Sequence, residues 1–254
     1  FTKDISEDYN HEVTLDLAPG DYSIMVWSDL MESGAGNPHH NADDFAEITL
    51  QGDHEANNDY RDAFRGTGNI SLAADVTEQV PGTLAITMQR PLAKFEVITN
   101  DLAEFIEKQT LGMAAGNDGV KSAEENPEAR IRFEDYRVVF YYVGFMPDTY
   151  SMFTDKPVDS VTGVTFQSVL RRMDDAQATL GFDYVFVNGK ESAVTVRIGI
   201  YDDEGTQLSL TEPIEIPLKR NHHTVLRGKF LMSEASGGVT INPNFDGDHN
   251  LIFP

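Results

Sequence analysis

The chain has no cysteine among its 254 residues. Disulfide bridges, thiolate metal sites and cysteine nucleophiles are thereby excluded, although the absence does not fix the compartment. No apolar run approaches the roughly 20 residues that a membrane-spanning helix requires. No signal segment precedes the first strand, which says nothing of what stands upstream of Phe1. Basic residues are scarce, at 19 Lys and Arg against 42 Asp and Glu, for a net charge of −23. The scarcity is concentrated: Asp4 to Tyr60 holds 14 acidic residues and no Lys or Arg. Such a surface repels nucleic-acid phosphates and anionic membranes, and reads first as a solvated acidic face. Also missing are Gly-Xaa-Ser-Xaa-Gly, His-Glu-Xaa-Xaa-His and phosphate-loop motifs. Carboxylates are so numerous that their abundance is no evidence for an acid–base pair. The expectation is a protein that is not an enzyme and holds no cofactor.

Strand patterns dominate what is present. His11 to Leu17 alternates, with Val13, Leu15 and Leu17 on one face, and Pro19-Gly20-Asp21 follows as a turn. "YSIMVWS", "FAEITL", "NISL" and "TLAITM" add further strands before Pro91. "AKFEVIT" continues the series, and "NDLAEFIEKQ" then switches to helical spacing, with Asn100 or Asp101 as the N-cap. Gly112 to Pro127, rich in Ala, Gly, Asn, Asp and Glu, reads as a loop. "YRVVFYYVGF" and "TGVTFQSVL" follow. The next run holds two turns, Asn188-Gly189 and Asp203-Glu204-Gly205, and Asn-Gly between alternating segments predicts a hairpin. "IEIPL", "TVLRGKFLM" and a short "VTI" close the chain. About a dozen strands, one short helix and no βαβ rhythm predict an all-β fold of antiparallel sandwiches. No repeat of fixed period points to a solenoid or propeller.

Arg90-Pro91 interrupts an otherwise extended stretch. Proline donates nothing to a ladder and biases the residue before it toward extended geometry. A short, stiff joint is expected there, dividing the chain into two β-sandwich domains at 1–91 and 92–254 that touch each other. On the far side, Ala93, Phe95 and Val97 are expected to face a core, and Lys94 and Glu96 solvent.

Four segments, in order, resemble one family. "LAPGDYSIMVWSDL" is similar to a strand pair of the fimbrillins, the pilus subunits and anchors of Bacteroidales. "ITMQRPLAKFEVITNDL" resembles the segment joining their two domains. "YVGFMPDTYSMFTDKP" and "IPLKRNHHTVLRGKFLM" resemble two later stretches. The resemblance implies two transthyretin-like, Greek-key β-sandwich domains and a surface lipoprotein. Its partners would be other pilus subunits, met by strand exchange, and host or bacterial surface ligands. Outer-membrane attachment would come only through a lipid anchor upstream of this chain. Strand exchange is β-augmentation: an open sandwich exposes an apolar groove and unpaired backbone groups, which an incoming strand satisfies. The candidate assembly strands are Val13, Leu15 and Leu17 at one end, and Val239, Ile241, Leu251, Ile252 and Phe253 at the other. In the family a protease often removes the first strand after Arg or Lys. Here only Lys3 precedes that strand, and the next basic residues are Arg61 and Arg65. The protein is then either an anchor or cap that keeps its first strand, or one processed with another specificity.

The remaining motifs have structural readings beside functional ones. His39, His40, Asp43 and Asp44 offer imidazole and carboxylate ligands, but sit in a loop. Asn244, Asp246, Asp248 and Asn250 have calcium-loop spacing without the later bidentate Glu, and read as a turn. His222 and His223 face opposite sides of a strand. No metal is assigned to any of them. Trp27 and Tyr22 would stack on a sugar if exposed, which keeps a carbohydrate-binding sandwich as the rival. The mid-strand position of Trp27 favours burial.

Overall fold

The computed structural model describes residues 12–31, 39–73, 82–116, 131–189, 191–232 and 249–252, without side chains at 113–116, 191 and 249–252. The strands are β1 (Gly20–Asp29), β2 (His40–Asn41), β3 (Ile48–Leu50), β4 (Ala63–Leu72), β5 (Leu92–Thr99), β6 (Arg137–Tyr142), β7 (Phe145–Ser151) and β8 (Lys156–Thr162). They continue with β9 (Thr165–Val169), β10 (Arg171–Arg172), β11 (Ala178–Phe186), β12 (Glu191–Tyr201), β13 (Gln207–Leu210), β14 (Ile214–Lys219), β15 (His223–Gly228) and β16 (His249–Ile252). One helix, α1 (Leu102–Gly116), follows β5.

Two five-stranded sheets make the main body. One runs β10-β11-β5-β15-β16, and the other runs β13-β12-β6-β9 with β14 also on β12. Their inner faces obey the two-residue period of a pleated strand. Ala93, Phe95 and Val97 of β5 meet Val138, Phe140 and Tyr142 of β6 and Val194, Val196, Ile198 and Ile200 of β12. Phe140 stacks on Phe166 at 4.4 Å. Lys94 and Glu96 are the less buried residues of β5, as the alternation predicts. α1 adds Leu102, Phe105 and Ile106 to the same core, with Phe105 edge-on to Tyr136 at 5.1 Å. Every buried member of this core lies at or after Ala93.

The chain before Pro91 is built differently. β1 and β4 form a two-stranded ribbon paired from Gly20↔Leu72 to Asp29↔Ala63. β2 and β3 join β7 and β8 in a four-stranded sheet, with Ile48 opposite Tyr150. A second, smaller core fills the space beneath them: Ile48 and Ala63 pack with Leu92, Tyr150, Met152, Tyr184 and Phe186, flanked by Met25 and Trp27. Most of that cluster comes from beyond Pro91, and the four-stranded sheet crosses the junction. The Arg90-Pro91 break has a definite role. Gln89 exchanges both backbone hydrogen bonds with Arg65, at 2.8 Å each, and the Pro91 carbonyl accepts from the Val187 N–H at 3.1 Å. Proline stands where the ladder changes partner.

Several expectations are corrected. Residues 12–19 lie in no strand, and Val13, Leu15 and Leu17 are 44%, 50% and 39% exposed. Their alternation marks an amphipathic extended chain, but a strand needs a ladder partner. "TLAITM" likewise forms no strand; the Arg65–Gln89 bridge just beyond it is its nearest ladder contact among the described residues. It lies over Gly66 and Gly68 of β4, where a Cβ would meet Ile86 Cγ2 at 2.5 Å and Leu84 Cδ2 at 2.9 Å. Asn188-Gly189 is not a hairpin: β11 pairs with β5 and β10, whereas β12 pairs with β6, β13 and β14, so this turn crosses between sheets. The Asp203-Glu204-Gly205 hairpin does form, joining β12 to β13. β15 pairs in parallel with both β5 and β16. α1 extends through Gly112 to Gly116, into the expected loop. The Asp101 carboxylate accepts from the Met232 N–H at 2.9 Å and from the Thr99 hydroxyl, so it ties α1 to the segment after β15.

Candidate functional site

The part of the molecule with unusual chemistry is the seam where residues 20–65 dock on the body. Its centre is Asp183 of β11, whose side chain is fully buried. Its carboxylate accepts from Arg61 Nη1 at 2.5 Å and Tyr142 Oη at 2.6 Å, and His54 Nε2 lies 2.7 Å away. Burial alone would raise the carboxyl pKa. Arg61, then His54 and Tyr142, more than offset it and hold Asp183 below the usual carboxylate range. Burial and the same carboxylate push the Tyr142 phenol well above its ordinary value. A buried charge is tolerable only with such partners.

Around this hub the segment from His54 to Arg61 acts as a surrogate strand along the β11 edge. Asn57, in the left-handed region at φ 58°, donates its N–H to the Phe182 carbonyl at 3.0 Å. Its side-chain oxygen accepts from the Phe182 N–H at 2.8 Å. Gly181 makes this approach possible, because a Cβ there would lie 3.0 Å from Asn57 Oδ1 and from a Phe140 ring carbon. Exposed edges are commonly covered in this way. Further pairs reinforce the seam: Asp59 with Lys94 Nζ at 2.7 Å and Tyr184 Oη at 2.8 Å, and Asp62 with Arg90 Nε at 2.6 Å. Asp155 binds Arg65 at 2.6 Å and Arg220 at 2.9 Å.

A second imidazole lies deeper. His40 Nδ1 is 2.5 Å from Asp29 Oδ1, and Trp27 Nε1 donates to the other oxygen of that carboxylate at 3.1 Å. The His40 ring sits 5.5 Å from both Trp27 and Phe186.

The candidate residues named from the sequence fall in three groups. Arg61 is 3% exposed and belongs to the Asp183 hub, and the Arg65 side chain is largely buried against Asp155. Neither is presented to a protease while the seam is docked: cutting there requires the seam to open first. Val13, Leu15 and Leu17 form an exposed lead into β1 with no ladder partner among the described residues. Leu251 and Ile252 lie in β16, opposite Leu226 and Arg227 of β15. Val239, Ile241 and Phe253 lie outside the described residues, as do Asn244, Asp246 and Asp248, while Asn250 is within β16.

The histidine candidates do not converge. His40 points into the small core, whereas His39 faces Glu55 at 3.9 Å and Asn58 at 3.4 Å. Asp44 caps its own turn through the Ala46 N–H at 2.7 Å. Among the described residues no three His, Asp or Glu side chains gather as a metal site. His223 Nε2 lies 3.3 Å from Glu96, and its proximity lowers the Glu96 pKa; His222 turns to the Arg220 carbonyl at 2.7 Å. Trp27 is packed on the small core and Tyr142 is buried. Tyr141 shares a hydroxyl contact of 2.8 Å with Tyr201. No local pattern in the sequence marks the hub as a whole. Its sequence signal is an acidic residue inside the apolar run "LGFDYVFV".

The model of a family of unknown function, DUF6562, matches residues 2–254. No curated protein sequence matches significantly. Among solved structures the chain is similar to a "putative adhesin" from Bacteroides ovatus, at 11% identity and TM-score 0.41, covering 78% of this chain and 65% of that one. It is similar to the fimbrial anchor protein Mfa2 from Porphyromonas gingivalis, at 10% identity and TM-score 0.36, covering 76% of this chain and 59% of that one. A "putative cell adhesion protein" from Bacteroides ovatus gives 10% identity and TM-score 0.41, covering 90% of this chain and 68% of that one. The chain thus spans less than two thirds of the length of the first two proteins.

Arg61→Ala leaves the Asp183 charge without its main partner. It is expected to destabilise the protein by about 3–5 kcal/mol in urea unfolding at neutral pH. Asp183 titrates lower when folded than when unfolded, so its contribution is complete above about pH 4 and lost as pH falls through the depressed value. The cost of the substitution therefore shrinks at strongly acidic pH; a pH-independent cost contradicts the pairing. In limited trypsin digestion at pH 8 the early products should retain intact bonds after Arg61 and Arg65. Mass spectrometry showing a first cut at either bond contradicts the docked seam.

Proposed function

We propose that this chain, which belongs to the family of unknown function DUF6562, is a non-enzymatic component of cell-surface fimbriae that works in adhesion and assembles by β-strand donation. The observation that carries the reading is the β1–β4 ribbon. Among the described residues β1 pairs only with β4, so its outer edge is unpartnered over 10 residues. That edge has no lysine, proline or bulge to blunt it. Beside it the half-buried Tyr22, Ile24, Val26 and Ile70 make an apolar face that Leu84, Ile86 and Met88 cover only in part. An unpartnered edge beside an incomplete apolar face is what an incoming strand satisfies, through ladder hydrogen bonds and alternate side chains. The chain also has candidate donors: the exposed Val13, Leu15 and Leu17, and β16 at the rim of its sheet.

The ordered resemblance to fimbrillin segments supports the same reading. Attachment to the outer membrane would depend on a lipid anchor upstream of the chain, and the partners would be other pilus subunits. The carbohydrate-binding rival is not favoured, because Trp27 and Tyr142 are engaged inside the protein.

Purified protein, incubated with and without mild proteolysis, tests the assembly mode by size analysis under denaturing conditions. Ladder-like, denaturant-resistant oligomers are expected once a terminal segment is released, and Ile24→Asp, on the ribbon face, should abolish them. A persistent monomer under every condition contradicts strand donation.

A further inference from the structure

The seam contains a titratable group whose surroundings suit only one of its charge states. His40 is 1% exposed and wedged between Trp27 of β1 and Phe186 of β11, the one from the docked flank and the other from the body. Its Nδ1 has a partner in Asp29. Its Nε2 is buried and has no hydrogen-bond partner. A neutral imidazole protonated on Nδ1 fits this site: one nitrogen donates to Asp29 and the other is a bare acceptor among rings. An imidazolium would carry a second N–H into an enclosed, apolar space.

We propose that His40 makes the docking of the flank on the body acid-sensitive: mildly acidic conditions release residues 39–51 from the body while the main sandwich stays folded. The charged groups facing the ring act in opposite directions. Asp29, at the end of β1, favours the imidazolium. Arg61, from the turn before β4, and the neighbouring His39 oppose it. β3, β7 and β11 bring Leu50, Tyr150 and Phe186 to the surrounding small core. Burial outweighs Asp29, and the His40 pKa lies below its ordinary value.

The sign follows from linkage. The open flank binds a proton that the closed one refuses, so docking is strongest above pH 6.5, the ordinary imidazole value, and weakens as pH falls below it. Asp62, whose carboxyl pKa burial raises, also belongs to the seam, so the comparison stops at about pH 5.5, above the ordinary carboxyl range. Between about pH 7.5 and pH 5.5 a single fully excluded histidine proton raises the opening equilibrium about tenfold.

Hydrogen exchange of the intact protein at pH 7.5 and pH 5.5, corrected for intrinsic rates, reads this directly. Amides of residues 40–50 should lose about tenfold in protection at the lower pH, while those of β6 and β12 remain the more protected set at both pH values. In His40→Gln, which retains a donor for Asp29 but does not titrate, the pH step should vanish. If that variant does not fold, Asp29→Asn should fold and keep the step, since the excluded proton remains. Equal protection at both pH values in the wild type, a step that persists in His40→Gln, or its loss in Asp29→Asn overturns the proposal.

Discussion

A carboxylate buried among aromatic and aliphatic side chains governs how this protein is put together. Asp183 stands on a strand that otherwise serves the core, and it is acceptable there only because Arg61, His54 and Tyr142 surround it. Two of those partners arrive from the segment before β4, the third from the opposite sheet. The carboxylate therefore compels the first part of the chain to return to the body. Charge pairing of this kind adds little net stability over an apolar core, but it penalises every arrangement that leaves the charge alone. It specifies where the flank docks more than it strengthens the fold.

The other features of the seam follow from that placement. Once Arg61 is fixed, Asn57 falls along the β11 edge and supplies the hydrogen bonds that a strand would have made, and Gly181 leaves the room it needs. Asp59, Asp62 and Arg65 then meet Lys94, Arg90 and Asp155 as consecutive contacts. The acidic, base-free run up to Tyr60 ends at the two arginines that anchor it. The β1–β4 ribbon is held at its Asp29–Ala63 end by this seam, while its far end, Gly20–Leu72, extends away with an edge unpaired among the described residues.

Much of the body was legible in the sequence because its strands are long, β-rich and alternating. β5, β6 and β12 obey the two-residue period, and the helix after β5 announces itself by its change of spacing. The failures share a physical cause: local pattern reports a preference for extended chain, not the identity of the ladder partner. Val13, Leu15 and Leu17 alternate as well as any strand and have no ladder partner among the described residues. Asn188-Gly189 has ideal hairpin residues yet joins strands of different sheets. The parallel pairing of β15 with β5 is a long-range choice that no window of residues encodes. The seam was the least visible part, since Asp183, Arg61, His54 and Tyr142 are scattered over the chain and each alone looks ordinary. An aspartate within an apolar strand was the one trace.

The central claim is that a self-contained sandwich carries a flank held mainly through Asp183. Native-state hydrogen exchange of Arg61→Ala at neutral pH tests it most directly. The account predicts that amides of residues 40–62 lose protection by two orders of magnitude or more, at about 1.4 kcal/mol per tenfold, and exchange through an opening that leaves β6 and β12 still protected. Flank amides that keep the same protection as those of β6 and β12 in the variant would contradict it, because the two would then open as one unit.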